Sequence, residues 1–406
     1  FVWRRADKAA VLDSVKKVRD ALAAGAKPTP ADLAASAWQT GRAVAGGATL
    51  AVVAASLADL QEKLDLALAA LPKADSHADP RGVYWKDEGG RMKDEVKTDL
   101  DSSLIPHPSS LLPKVAFLFP GQGSQYPDML AQVAMAFAEV RGVLDRAEST
   151  LAPELERPLG QLIYPPTPFS PEQEASHRDA LRRTEVAQSS IGATSLGMFR
   201  LLSALEIEAD FFGGHSYGEY VALCAAGALS EDDLMRLSYR RGRAIREAAV
   251  DAPGGMLAAD ASADAIQPVL AGLPEVWIAN HNSPTQTVVA GTDEGVKRAA
   301  EKLQAAGVRS QRIAVACGFH SPLIAGAKPA LADALGRAEF TAPAKPVYSN
   351  TSARPHPADG AAIAAQLAEH LVSPVRFADE IRAMYAAGAR VFVEVGPNGV
   401  LTGLTS

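Results

Sequence analysis

Cysteine is scarce in this sequence, with only Cys224 and Cys317 among 406 residues. Two cysteines do not form the disulfide framework that stabilises small secreted domains. The eight histidines are scattered and show no metal-ligand spacing with cysteine, so we predict no metal site. Four of them lie in polar or proline-rich stretches and are predicted to be surface residues: His77, His107, His177 and His356.

Long apolar runs and an excess of positive charge are also lacking. No apolar run approaches the roughly 18 residues that a membrane-spanning helix needs. The net charge is −7 at pH 7, whereas nucleic-acid-binding domains usually carry a basic surface. We therefore predict neither a membrane nor a nucleic acid as a partner. The remaining composition, 48% hydrophobic and 21% charged, is that of a globular protein with more than one domain.

The most informative segment is Gly-His-Ser-Tyr-Gly at 214–218, which follows an apolar run and precedes a helical pattern. Glycines on both sides of a serine permit the sharp strand-to-helix turn that exposes a nucleophilic hydroxyl. Backbone N–H groups at the start of the helix then stabilise an oxyanion nearby. A purely structural glycine turn explains the bare motif equally well.

A second glycine-rich segment, Phe119–Gln125, directly follows the strand-like run Val115–Leu118. Ligand sites in open α/β sheets lie at the carboxyl ends of strands. Gln122 is therefore predicted to donate an amide N–H to the oxyanion that faces the turn of Ser216. The alternative is a glycine turn with a solvated glutamine.

Six segments in a fixed order resemble the malonyl-CoA:acyl-carrier-protein transacylase family, and in particular the acyltransferase domains of type I polyketide synthases. The resemblance runs from about Val115 to the C-terminus. Residues 1 to about 112 resemble, by layout, the linker between a ketosynthase and its acyltransferase. The resemblance implies that the chain is a piece of a larger synthase. The six segments lie at residues 119–125, 214–218, 239–242, 280–284, 318–322 and 394–397.

The hydrophobic pattern predicts the fold class in three parts. Residues 1–75 alternate helical and strand-like segments and form a small α+β linker domain. Residues 76–113 show little periodicity and are assigned to an extended linker, in which Gly82–Trp85 docks its aromatic side chains.

The third part is an α/β domain. Strand-like runs at 115–119, 207–213, 312–316, 346–349 and 390–395 alternate with helical segments, which predicts a mainly parallel sheet covered by helices. The order β-α-β-β-α-β within 255–315 predicts an inserted ferredoxin-like subdomain. The large subdomain then comprises 114–254 and 316–406. The resemblance implies the same hydrolase-like, two-part architecture, with the active site between the parts.

The resemblance implies a Ser–His dyad. Ser216 is the nucleophile and His320, flanked by Gly318 and Pro322, is the base that takes its proton. No acid stands out as a third member, and the resemblance implies that a main-chain carbonyl, that of His370, orients the imidazole. We therefore expect a side-chain substitution at His370 to matter less than one at His320. The backbone N–H of Tyr217 and the Gln122 region are the predicted oxyanion donors.

Arg241 bears on the substrate class. Five arginines fall on a predicted helix, residues 232–248, and a solvated basic face would explain them. The Arg-Gly pattern of the family instead points to Arg241, with Arg240, about 100° round the helix, as the alternative. A buried guanidinium fits a free carboxylate, such as that of a malonyl or methylmalonyl group.

Other residues refine the substrate. The resemblance associates Phe319, just before the histidine, with malonyl, because a bulky ring leaves less room for an α-methyl group. His215, Asn280 and Asn282 are assigned to substrate binding, the two asparagines near the pantetheine arm or in a plain turn. Departures from the commonest motifs at Tyr217 and Cys317-Gly318, with the long 72–112 segment, favour an iterative synthase of the enediyne (antibiotic) or polyunsaturated-fatty-acid kind.

The sequence thus predicts a cytoplasmic transferase that moves malonyl from malonyl-CoA to Ser216 and then to the phosphopantetheine of an acyl carrier protein. No cofactor is expected in this domain, and an adjacent ketosynthase is the expected neighbour. Two alternatives remain, an editing thioester hydrolase on the same fold and a non-catalytic docking scaffold.

Overall fold

A computed structural model describes residues 1–41, 44, 47–73, 76–79, 81–87, 113–313, 315 and 317–405. The chain divides into two compact units, residues 1–106 and 107–406. Within the described ranges, no helix combines the length and the apolar character needed to cross a bilayer.

The first unit is a four-stranded antiparallel sheet with three helices. Thr29 caps α2 by accepting a hydrogen bond from the Asp32 N–H, with Pro30 as the first helical residue, as the sequence predicts. Trp3 and Trp85 lie in the core of this unit. The sheet order is β1-β2-β4-β3. The elements are β1 (Val2–Arg5), α1 (Lys8–Ala23), α2 (Pro30–Gln39), β2 (Ala48–Val52), α3 (Leu57–Ala70), β3 (Ser76–Asp79) and β4 (Val83–Asp87).

Strands β3 and β4 correct the prediction that 76–113 is an extended linker. β4 pairs with both β2 and β3, so the boundary expected at residue 75 falls inside this sheet. Val83 and Trp85 are buried while Tyr84 and Lys86 are exposed, the period-two pattern of a half-buried strand. That pattern is only five residues long, which is why the polar residues around it hid it. Residues 88–112 of the predicted linker lie outside the described residues.

The second unit contains a parallel sheet in the order β11-β5-β6, covered by helices. The predicted strand at 346–349 contributes one parallel bridge, Val347 to Phe212, at the edge of this sheet. Its elements before the insertion are β5 (Lys114–Phe119), α4 (Ala131–Ala136), α5 (Ala138–Leu151), α6 (Leu159–Ile163), α7 (Pro171–Arg182), α8 (Thr184–Ala204), β6 (Phe211–Gly214), α9 (Gly218–Ala225) and α10 (Glu231–Asp251).

The inserted subdomain is an antiparallel sheet in the order β10-β7-β9-β8 with two helices, which is the ferredoxin-like arrangement that the sequence predicts. Its elements are β7 (Gly255–Ala259), α11 (Ala263–Leu270), β8 (Val276–Ser283), β9 (Gln286–Gly291), α12 (Asp293–Ala305) and β10 (Ser310–Ile313). The large subdomain then resumes with α13 (Lys328–Arg337), α14 (Gly360–His370), α15 (Phe377–Ala386), β11 (Ala389–Glu394) and α16 (Val400–Thr405). The predicted fold class is confirmed.

Strand β8 ties the two subdomains together beside the sheet's carboxyl edge. The His281 N–H donates to the Val375 carbonyl, and the Val375 N–H donates to the Ala279 carbonyl, both at 2.8 Å. The segment around Val375 belongs to the large subdomain, so the two parts meet where β5 and β6 end.

Candidate active site

Ser216 occupies a tight turn between β6 and α9. A Cβ atom on Gly214 would lie 2.1 Å from the Gly218 carbonyl carbon, and one on Gly218 would lie 2.0 Å from the Phe119 oxygen. Only glycine therefore fits at either position. Ser216 itself has a φ of 53°, a left-handed conformation that costs a non-glycine residue about 1–3 kcal/mol. Such strain is typical of an exposed nucleophile.

His320 contacts the serine hydroxyl, with 2.7 Å between Ser216 Oγ and His320 Nε2. The other ring nitrogen, Nδ1, lies 3.1 Å from the carbonyl oxygens of both His370 and Ser373. Two carbonyls can only accept, so Nδ1 carries the proton and Nε2 is free to accept one from the serine. The structure thus places His320 against the predicted His370 carbonyl and adds that of Ser373, which sequence reasoning missed.

Burial keeps His320 in the neutral state that a base requires. His320 is 3% exposed, and this desolvation lowers its pKa well below the usual value. The nearby His370 ring and Arg241 guanidinium lower the pKa further, while the hydrogen bond to the His370 carbonyl opposes them. An imidazole that stays unprotonated near neutral pH is able to take the serine proton.

A buried carboxylate lies behind this pair, although no acid among the described residues touches His320. Glu219 Oε1 is 2.7 Å from His356 Nε2, and Glu219 Oε2 is 3.6 Å from His370 Nδ1. Burial raises the pKa of Glu219, but the charge of His370 and the hydrogen bond from His356 outweigh it and lower the pKa to about 2. The prediction that His356 lies on the surface is wrong, because its side chain is fully buried against Glu219.

Sequence reasoning missed Glu219, although a signal was present. It is the single charged residue within the apolar helix α9, and a charge in a buried helix requires a partner. Its partners come from distant parts of the chain, which the local pattern cannot show.

Arg241 differs from the other arginines of α10. Among the described residues no carboxylate forms an ion pair with it, and its guanidinium carbon lies 5.4 Å from the Tyr220 ring centroid. It is 2% exposed. Arg240, the alternative, is about half exposed and pairs with Glu154. The remaining arginines of the helix pair with acids on the surface, namely Arg236 with Asp233, Arg243 with Glu247 and Arg246 with Glu185.

A cavity of about 600 Å³ brings these groups together. Ser216, His320 and Arg241 all line it, as do Gln122 and Phe319. The nucleophile–base pair and an unpaired buried cation therefore face one space, which suits a ligand that carries both an electrophilic carbon and a negative charge.

His215, Asn280 and Asn282 line the same cavity and contact one another. His215 Nε2 is 2.8 Å from Asn282 Oδ1, and Asn280 Nδ2 is 3.4 Å from the same nitrogen. Asn282 in turn donates from Nδ2 to Gln286 Oε1 at 2.9 Å. These contacts join β8 to the nucleophile turn, so the two asparagines connect the subdomains at the cavity wall.

The predicted oxyanion donors lie at two strand ends. Gln122 follows β5, and its Oε1 accepts a hydrogen bond of 3.3 Å from Gln188 Nε2. Tyr217 is the N-cap residue of α9, and its side chain is fully buried, with its hydroxyl against Ser238 Oγ. Only the Tyr217 backbone is thus left to face the serine.

Comparison with known proteins identifies the family. Residues 116–405 match the family model described as acyl transferase domain. The chain is 38% identical over 295 residues, 70% of its length, to a subunit of the polyunsaturated fatty acid synthase of Thraustochytrium sp., of which it spans about a tenth, 10%. It is also 36% identical to the malonyl CoA-acyl carrier protein transacylase of Bacillus subtilis, covering 70% of this chain and 87% of that protein.

A solved structure shows the same likeness in three dimensions. The malonyl CoA-acyl carrier protein transacylase of Coxiella burnetii superposes with a TM-score of 0.66 and 32% identity, over 72% of this chain and 90% of that one. These comparisons agree with the family that the six sequence motifs indicated, and the chain belongs to the acyl transferase domain family.

Proposed function

We propose that this domain transfers a malonyl group from malonyl-CoA to Ser216 and then to the phosphopantetheine thiol of an acyl carrier protein. One observation carries this proposal, namely that the buried, unpaired Arg241 lines the cavity of the Ser216–His320 pair. A free acyl carboxylate satisfies that charge through a two-point ion pair. A simple fatty acyl chain would leave it buried and unpaired, at a cost of several kcal/mol.

In the first half-reaction, Ser216 Oγ attacks the thioester carbonyl carbon while His320 Nε2 takes the hydroxyl proton. The Tyr217 N–H and Gln122 stabilise the oxyanion that forms. The carbon–sulfur bond then breaks, and the CoA thiolate leaves with the proton from His320. Malonyl-Ser216 remains, with its carboxylate on Arg241.

In the second half-reaction, the thiol of the carrier protein attacks the ester and His320 takes the thiol proton. The serine oxygen leaves and recovers that proton from His320, so the enzyme is regenerated without a cofactor. His215, Asn280 and Asn282, on the cavity wall, are proposed to bind the substrate near the pantetheine arm.

Phe319 supports malonyl over methylmalonyl as the acyl group. Its half-buried ring lines the cavity next to His320. Exclusion of one methyl group is worth only about 1–3 kcal/mol, so the preference is one of rate.

The likeness to a synthase subunit, together with the α+β first unit, supports a place in a larger chain. We propose that residues 1–106 link the domain to a ketosynthase in a cytoplasmic synthase. The likeness to a polyunsaturated fatty acid synthase favours an iterative synthase of that kind, with the enediyne kind as the alternative.

The two alternatives fit the site less well. A hydrolase on this fold has no need for the unpaired Arg241, and a docking scaffold has no need for a serine in contact with a neutral histidine. Neither therefore explains the set of residues around the cavity.

The test is the intact mass of the protein after brief mixing with malonyl-CoA or methylmalonyl-CoA. We expect a malonyl adduct that moves to added carrier protein, a slower methylmalonyl adduct, and no adduct on Ser216→Ala. In Phe319→Ala the methylmalonyl rate should rise about tenfold or more relative to malonyl. Rapid CoA release without an adduct would indicate the hydrolase, and neither adduct nor CoA release would indicate the scaffold.

The pH dependence of acylation follows from the low pKa of His320. Because burial lowers that pKa well below the usual value of 6.5, the neutral base persists as the pH falls through the range in which an ordinary histidine is protonated. We expect kcat/KM for malonyl-CoA to stay level from pH 7.5 to pH 6 and to decline only in more acidic buffer. A tenfold decline between pH 7 and pH 6 would contradict this state of the base.

A further inference from the structure

Asn350 joins the two residues that flank His215 in the nucleophile turn. Its Nδ2 donates to the Gly214 carbonyl and its Oδ1 accepts from the Ser216 N–H, each at 2.6 Å. Asparagine offers a donor and an acceptor in one plane, so a single side chain serves both ends.

The register of the sheet explains this placement. Phe212 forms a parallel bridge with Val347, so three residues further along both chains Asn350 lies beside His215. In a continued parallel ladder the Asn350 backbone N–H would donate to the Gly214 carbonyl. That N–H instead donates to Glu219 Oε2 at 2.9 Å, and the side-chain amide replaces the missing ladder bonds.

Asn350 is itself fixed by its surroundings. It is fully buried, and its carbonyl accepts from the Arg376 N–H at 2.9 Å. Its Nδ2 also lies 2.5 Å from Glu380 Oε2. Burial first, and then the charge of Glu219, raise the pKa of Glu380 well above its usual value, so this partner is a neutral carboxyl group. Every polar group of Asn350 therefore has a partner, which leaves the side chain no alternative position.

The turn needs such a support, because Ser216 holds a left-handed conformation with φ of 53°. Residues in this conformation persist only where their surroundings determine it. The hydrogen bond from Asn350 also occupies the Ser216 N–H, which leaves the oxyanion to Tyr217 and Gln122.

We propose that Asn350 is a positioning residue, whose side-chain amide holds Ser216 in the strained turn and thereby aims the serine hydroxyl at His320. The proposal rests on the proposed function for the choice of malonyl-CoA as substrate. A displacement of the nucleophile by about 1 Å is enough to reduce the rate about 10²-fold.

The test compares Asn350→Ala with Gln366→Ala. Gln366 is a matched control, since its amide donates to Ser349 and Ser352 of the same loop at 3.0 and 3.3 Å but does not contact the turn. Each variant is checked for folding by thermal denaturation. Rates are then measured per folded molecule, both for malonyl transfer from malonyl-CoA and for sulfonylation of Ser216 by phenylmethylsulfonyl fluoride.

We expect N350A to lower kcat for acylation about 10²-fold with KM nearly unchanged, to lower the sulfonylation rate as well, and Q366A to change neither. Sulfonylation does not require a malonyl site, so it reports on Asn350 even if the proposed substrate is wrong. Both rates within about threefold of wild type in folded N350A would overturn the proposal. If N350A does not fold, Asn350→Ser is held to the same criterion, because its short hydroxyl cannot reach both Gly214 and Ser216.

Discussion

His320→Ala is expected to slow the acylation of Ser216 by about 10⁴-fold or more, the size of loss found when the base of a serine–histidine pair is removed. The 2.7 Å contact between Oγ and Nε2 gives the serine proton a direct route to the base. The unaided hydroxyl is a weak nucleophile at neutral pH, so the remaining rate would come from oxyanion stabilisation and substrate binding.

The measurement is single-turnover formation of malonyl-Ser216, followed by intact mass. His177→Ala is the control, because this histidine is half-buried on α7 and does not line the cavity. A His320→Ala variant that keeps a tenth of the wild-type rate would mean that another group takes the proton.

The main features of the large subdomain were predictable because local patterns encode them. Alternating strands and helices gave the sheet, and the glycines around Ser216 marked a strand-to-helix turn that proves too tight for any side chain. The ferredoxin-like order of 255–315 was likewise visible as a sequence of short runs.

The support of the site was not predictable, because it depends on long-range pairing. Asn350 follows a strand-like run, and a polar residue at a strand end is a signal, but only the bridge of Val347 with Phe212 brings it to Ser216. In the same way His356 lies in a proline-rich stretch that predicts exposure, whereas the tertiary fold buries it against Glu219.

The choice between Arg240 and Arg241 shows the same division. Periodicity places the two residues on one helix about 100° apart and so on different faces. Which face is buried depends on how α10 packs, and the structure buries Arg241 while Arg240 reaches Glu154. Motif order selected the residue that the packing isolates from any carboxylate among the described residues.

Arg241→Ala is expected to lower kcat/KM for malonyl-CoA by about 10²–10³-fold, since truncating one side of a buried ion pair costs about 3–5 kcal/mol. The loss should be specific to a substrate with a free carboxylate, because the charge of Arg241 has no other partner in the part of the chain that the structure describes. With acetyl-CoA the same variant should equal or exceed the wild type, because its small acyl group no longer leaves a buried cation unpaired. The ratio of the two substrates therefore separates loss of recognition from loss of folded protein.

Arg240→Ala is the matched control, one residue away on the same helix. Its guanidinium is about half exposed and bound to Glu154, so its removal should cost no more than about 1 kcal/mol of stability and leave the substrate ratio unchanged. Steady-state rates with both CoA esters, at equal concentrations of folded protein, provide the comparison. If Arg240→Ala shifts the ratio and Arg241→Ala does not, the carboxylate binds to the exposed arginine, and the case for malonyl transfer through the buried one fails.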